Sequence, residues 1–182
     1  SMGFPETGIG IIPGLGGMLR TQRIIGTELA KYYVFTGTPI SASAARELGL
    51  FYAVVDRSDI ETQIRQIIND DLKDKYMNGK IPDSFKEAAA AFASENIEAV
   101  LSGSDIPGIS EELNGRLKKI LGYKSSTALK MANDVMEAQI PLSIPDAVEY
   151  ELNQLDTLFR TQAALEGLTS AVEKRKPEFK GI

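Results

Sequence analysis

Apolar residues recur at helical spacing along most of this chain, and the breaks between them carry residues that start and stop helices. Leu15, Met18, Leu19, Gln22 and Ile25 predict a loop running into a helix over 13–25, stopped by Gly26. A short aromatic-rich helix follows over 28–35 and closes at Gly37. Ser41 and Ser43 are two candidate N-caps for a short helix over 44–48, which Gly49 ends. Phe51 to Val55, aromatic and β-branched between Gly49 and Asp56, reads as the clearest strand. Beyond it the period is helical again. Ser58 to Glu61 has the form of a capping box. Ile60, Ile64, Ile67, Ile68 and Leu72 form an apolar stripe on a helix expected to reach Tyr76 and stop at Asn78-Gly79. Pro82-Asp83-Ser84 with Glu87 suggests a second box, and Phe85, Ala88, Ala89 and Phe92 a buried face. Helix is expected again over 97–101. Ser110 caps a helix carrying Leu113, Leu117, Ile120 and Leu121. Ser125 or Ser126 caps one carrying Leu129, Ala132, Val135 and Met136, broken by Pro141. Ser143 to Asp146 starts another with proline in its first turn, and Val148, Leu152, Leu155 and Phe159 mark its expected buried stripe. A last helix carries Ala163-Ala164-Leu165, Leu168, Ala171 and Val172 and ends before Pro177.

The inventory is therefore mainly α with one or two short strands. A two-stranded sheet is marginal alone. We expect its other strands to lie upstream of residue 1, and Ser1-Met2 to be a cloning remnant. The 182 residues suffice for one domain, with 43% hydrophobic and 25% charged side chains. A net charge of −5 argues against a nucleic-acid partner. No apolar run approaches the ~20 residues of a membrane span, and no signal peptide is visible. The chain has no Cys, which fits a cytoplasmic protein and excludes a thiol nucleophile. It has no His, which removes the usual general base and most zinc sites. Proton chemistry must use carboxylates, Lys, Tyr or water.

One stretch is built differently. From Gly3 to Gly17 the chain is dense in glycine, punctuated by Pro5 and Pro13, with the single carboxylate Glu6 inside it. Such a chain makes specified turns. A carboxylate held on them fits a positioned acid or base, and it fits equally a solvated loop residue. A second charged feature, Lys174, Arg175, Lys176 and Lys180, is the densest positive patch. It reads as an anion contact or as solvated charges favoured by a helix C-terminus.

Phe4-Pro5-Glu6-Thr7 followed by Gly10-Ile11-Ile12-Pro13-Gly14-Leu15-Gly16-Gly17 resembles the second catalytic segment of the crotonase superfamily, the enoyl-CoA hydratases and isomerases. Thr36-Gly37-Thr38-Pro39-Ile40-Ser41-Ala42 with Ala45, Gly49-Leu50 and Val54-Val55 is a second matching block. Glu166-Gly167-Leu168 with 171–179 is a third, in the family's order.

The resemblance covers both ends of the chain but only the C-terminal half of a crotonase domain. It implies the C-terminal part of a crotonase-like α/β superhelix over 1–56, a helical insertion over 57–123, and a C-terminal, trimerisation-type helical region over 124–182. The insertion suggests the end of a fused 3-hydroxyacyl-CoA dehydrogenase/enoyl-CoA hydratase.

The resemblance also implies an acyl-CoA thioester substrate of fatty-acid β-oxidation, no cofactor beyond the coenzyme A that the substrate carries, and no metal. Glu6 matches the second of two hydratase glutamates. The first glutamate and the oxyanion donors belong upstream, so the partners implied are that upstream half and further copies in a homo-oligomer, and the chain alone is expected to be inactive. Pro5, Ile11, Pro13, Gly14 and Leu15 correspond to substrate-binding positions, although for the apolar ones plain core is an equal reading. Phe179 and Lys180 correspond to a segment near the CoA nucleotide. Related hydrolases and dienoyl isomerases carry a catalytic Asp at or close to position 14. Gly14 favours hydratase chemistry and leaves simple isomerases, or a non-catalytic helical assembly module, as alternatives.

Overall fold

The computed structural model describes residues 1–69 and 81–179. Short 3-10 turns, Glu6–Ile9, Arg57–Asp59 and Ser94–Asn96, alternate with helices α1 (Gly17–Ile25), α2 (Thr27–Thr36), α3 (Ala42–Glu47), α4 (Ile60–Asn69), α5 (Asp83–Ala90), α6 (Ile97–Ser102), α7 (Glu111–Leu121), α8 (Ser126–Gln139), α9 (Ile144–Phe159) and α10 (Gln162–Val172). Among the described residues no helix is long and apolar enough to cross a membrane.

The core is assembled around α2. Every residue of it from Leu29 to Thr36 is buried, as expected of a helix apolar nearly all round. It packs against α1, α5, α7, α8 and the Glu6 turn. Its one buried cation, Lys31, is paired at 2.5 Å with Glu137 of α8. Phe92, fully buried, meets Tyr32 and Phe35 edge-on, with centroids 5.8 and 5.5 Å away. Arg116 of α7 donates to the Tyr32 hydroxyl and lies over its ring. Phe92→Ala would leave a cavity here, and we expect a loss of about 3–5 kcal/mol, read from the urea midpoint.

Four serine caps form as the sequence suggests. Ser41, Ser110, Ser125 and Ser143 accept from the N–H three residues on. The two capping boxes do not form. The chain enters α4 through the Arg57–Asp59 turn, and the Ser58 hydroxyl donates to Asp59. Pro82 occupies the α5 N-cap, and Glu87 instead accepts Ser110 N–H at 2.7 Å.

The expected strand over 51–55 does not form, because no neighbouring strand among the described residues pairs with it. Among the described residues the ladder is a single antiparallel bridge, Met2 to Ile40. The α4 stripe is not buried. Ile60, Ile64 and Ile68 are exposed, and no residue of α4 is buried. Leu72, Tyr76 and Asn78-Gly79 lie outside the described residues.

The buried face of α9 differs from the expected stripe, and in α10 only Ala163 and Ala164, of the apolar residues expected on it, are buried. In α9 the buried residues are Ala147, Glu151 and Leu158, while Leu152 and Phe159 are exposed. In α10 they are Ala163, Ala164, Gly167 and Ser170, while Leu165 and Val172 are exposed. In α10 small side chains face inward because its backbone approaches the Glu6 turn closely, which displaces Leu165 and Val172 to the outside.

Candidate active site

The glycine-rich stretch becomes a fixed turn. Met2 is bridged to Ile40, with N–H to O distances of 3.0 and 2.8 Å, and Phe4 is buried. Pro5 caps the turn, its carbonyl accepting Gly8 N–H at 2.9 Å. The Glu6 carbonyl accepts from Gly10 and Ile11. Thr7 is fully buried, and its hydroxyl is shared between the Val34 and Phe35 carbonyls, each at 3.2 Å. These are carbonyls near the end of α2, which lack helical partners. The Thr7 carbonyl accepts Ser125 N–H at the start of α8.

On its remaining side the turn rests on α10 backbone to backbone. A Cβ on Gly10 would lie 2.1 Å from the Ala163 carbonyl oxygen, and one on Gly167 would lie 2.0 Å from the Ile9 carbonyl oxygen. Only glycine at both places allows this approach.

This frame carries Glu6. Its Oε2 is buried and has no hydrogen-bond partner among the described residues. Burial pushes its acid strength down, raising the pKa above the usual carboxylate range, while its own backbone N–H opposes the shift. A half-buried carboxyl on rigid backbone, with one oxygen unsatisfied, can hold or move a proton for a bound molecule.

Lys124 was not legible from the sequence. Its amine lies over Gly8 and Gly37, 3.3 and 2.9 Å from where their Cβ atoms would be. Burial lowers its pKa below the usual lysine range.

The other expected positions are distributed as follows. Pro5 is exposed, Ile11 and Gly14 are half-buried, and Pro13 is buried. Leu15 is 87% exposed with φ +57°, so it precedes α1 rather than forming part of its apolar stripe. Phe179 is half-buried, and Lys180 lies outside the described residues.

The positive patch is partly neutralised. Arg175 donates to both oxygens of Glu166 at 2.5 and 2.8 Å and to Glu173 at 2.6 Å. Glu166 also accepts Glu178 N–H, so it ties the tail to α10. These bonds hold the Glu166 pKa at about 2. A carboxylate depressed in the folded state stabilises above its unfolded pKa and loses that contribution as pH falls toward the folded one. We therefore expect the tail contact to persist at neutral pH and to be lost as pH falls from the ordinary Glu range toward about 2. Proteolysis of 173–179 against pH checks this.

Comparisons with known proteins identify the family. The profile of the enoyl-CoA hydratase/isomerase family matches residues 1–181. A probable mitochondrial enoyl-CoA hydratase 2 of Arabidopsis thaliana is 27% identical over 179 residues, covering 98% of this chain and 43% of the relative. A probable enoyl-CoA hydratase of Bacillus subtilis strain 168 is 27% identical over 180 residues, covering 99% of this chain and 51% of the relative. This chain thus spans about half the length of the curated relatives it matches. A crystal structure of a carnitinyl-CoA dehydratase from Mycobacterium thermoresistibile superposes on all of this chain and 56% of its own, with a TM-score of 0.69 at 20% identity, a likeness of fold. A match to the family profile along nearly the whole chain places this protein in the enoyl-CoA hydratase/isomerase family.

Proposed function

We propose that this chain supplies the acid/base glutamate of an enoyl-CoA hydratase. The observation that carries the reading is Glu6 itself, a carboxyl on a turn bolted to α2, α8 and α10 with a buried oxygen left unpartnered. Hydration adds water across the double bond of a 2-enoyl thioester. One group takes a proton from the water, and another gives a proton to C2 as the enolate collapses. The raised pKa of Glu6 suits the proton-giving role. A second carboxylate and the oxyanion donors come from the remainder of the domain, which also covers the apolar groove of about 340 Å³ between Leu50–Val55 and α4.

Pro5, Ile11, Pro13, Gly14 and Leu15 contact the acyl group, and Phe179 with Lys180 the CoA nucleotide. Gly14 leaves no carboxylate for hydrolase chemistry. The exposed Leu152, Phe159, Leu165 and Val172 support a homo-oligomer formed through α9 and α10.

The test is the conjugated-thioester absorbance of crotonyl-CoA. It should fall with the chain joined to the rest of its domain and stay constant with these residues alone. A constant signal in both would overturn the reading.

A further inference from the structure

Glu151 on α9 is fully buried, yet it pairs with no cation among the described residues. Its Oε1 accepts Gly16 N–H at 2.8 Å, and its Oε2 accepts Gln139 Nε2 at 3.2 Å. Gln139 also donates to the Ala147 carbonyl at 3.1 Å and accepts from Gln22 of α1 at 3.2 Å. A buried carboxylate is costly to keep where an apolar side chain would pack. The group it holds is unusual.

The Leu15–Gly16 peptide is gripped from both sides. Glu151 takes its N–H from the core, and Arg20 Nη1 donates to its C=O from the surface at 2.7 Å. On either side of that peptide the backbone is left-handed, with φ +57° at Leu15 and +72° at Gly16. Left-handed backbone is unfavourable for leucine and persists only when its surroundings hold it. Glycine suits position 16 because of its φ of +72°, a conformation other side chains rarely adopt. The result is a leucine turned away from the core and 87% exposed.

We propose that Glu151 is a positioning residue that sets the Leu15–Gly16 peptide so that Leu15 is presented to the acyl group. This rests on the hydratase reading above. The carboxylate acts through the loop and does not touch substrate.

The test uses the chain joined to the rest of its domain, with Glu151→Ala, Glu151→Gln and Arg20→Ala measured beside wild type. Hydrogen exchange over residues 14–17 reads the clamp, and kcat and KM on crotonyl-CoA read its purpose. Glu151→Ala should speed exchange there and lower kcat about a hundredfold, the cost of roughly an ångström of misplacement. Glu151→Gln keeps an acceptor for Gly16 N–H. Gln139 stays on the Ala147 carbonyl and gives up only its bond to residue 151, so kcat should fall clearly less than in Glu151→Ala. Arg20→Ala leaves the core untouched and should also lower kcat, which decides the matter if Glu151→Ala fails to fold. Unchanged exchange in folded Glu151→Ala would overturn the clamp. Faster exchange with unchanged kcat, or unchanged kcat in Arg20→Ala, would overturn the positioning role. Inactive wild type would instead overturn the hydratase reading, and the role with it.

Discussion

Glu6→Gln, in the chain joined to the rest of its domain, is expected to lower kcat for crotonyl-CoA hydration by about 10²–10⁴, the usual worth of a positioned acid or base. The change is close to isosteric. The fold asks little of the carboxyl, because Oε2 has no partner among the described residues to lose. An amide oxygen can still accept from the residue's own N–H. Acyl-CoA affinity and melting temperature should therefore stay near wild type. Stability should even rise slightly at neutral pH. A carboxyl whose folded pKa is raised contributes stability below its unfolded pKa and loses it as pH rises through the folded one. The variant escapes that loss, so its advantage should vanish in acid. Kinetics beside melting curves at neutral and acid pH check both halves. A large drop in melting temperature would show that Glu6 is a structural residue.

Gly167→Ala should be nearly as damaging, although the site is far from Glu6 in sequence. In an exposed helix the change would gain about 1 kcal/mol from helix propensity. Here the new Cβ falls 2.0 Å from the Ile9 carbonyl oxygen, 2.2 Å from its carbon and 2.9 Å from Gly10 N. All three are backbone atoms of the turn that carries Glu6, so no flexible side chain can yield. Either α10 or the turn must move. Overpacking of this kind costs about 1–3 kcal/mol, and displacing the acid by an ångström costs about a hundredfold in rate. Gly115→Ala is the control, since that glycine lies on the exposed face of α7 with nothing within 4 Å of its Cβ position. It should stabilise while leaving turnover alone. A normal melt and normal kcat in Gly167→Ala would show that the turn is not seated as described.

These contacts explain what the sequence could disclose. Local chemistry was legible. Ser41, Ser110, Ser125 and Ser143 cap helices because a hydroxyl oxygen needs only the N–H three residues on. The glycine and proline spacing around Glu6 marked a specified turn. Burial direction was less legible. An apolar stripe predicts an inward face only if large residues are what the neighbour accepts, and α10 meets the Glu6 turn too closely for anything but Ala163 and Gly167. Leu165 and Val172 were displaced outward by that demand. Gly167 itself was the available signal, because glycine inside a helix is locally unfavourable and implies close approach.

Partners distant in sequence were not legible at all. Glu87 left its own helix for Ser110, Glu151 reached back to Gly16, and Lys124 settled over Gly8 and Gly37. Phe51 to Val55 has strand composition, but a strand also needs a neighbour.

The central claim is that Glu6 moves a proton while water is added. The most direct test is the mass of the acyl-CoA formed from crotonyl-CoA in heavy-oxygen water, with wild type and Glu6→Gln in the completed domain. Wild type should form a product one labelled water heavier, and Glu6→Gln should form it about 10²–10⁴ times more slowly. A product of unchanged mass with a shifted double bond, or labelled product formed equally fast by both proteins, would contradict the claim.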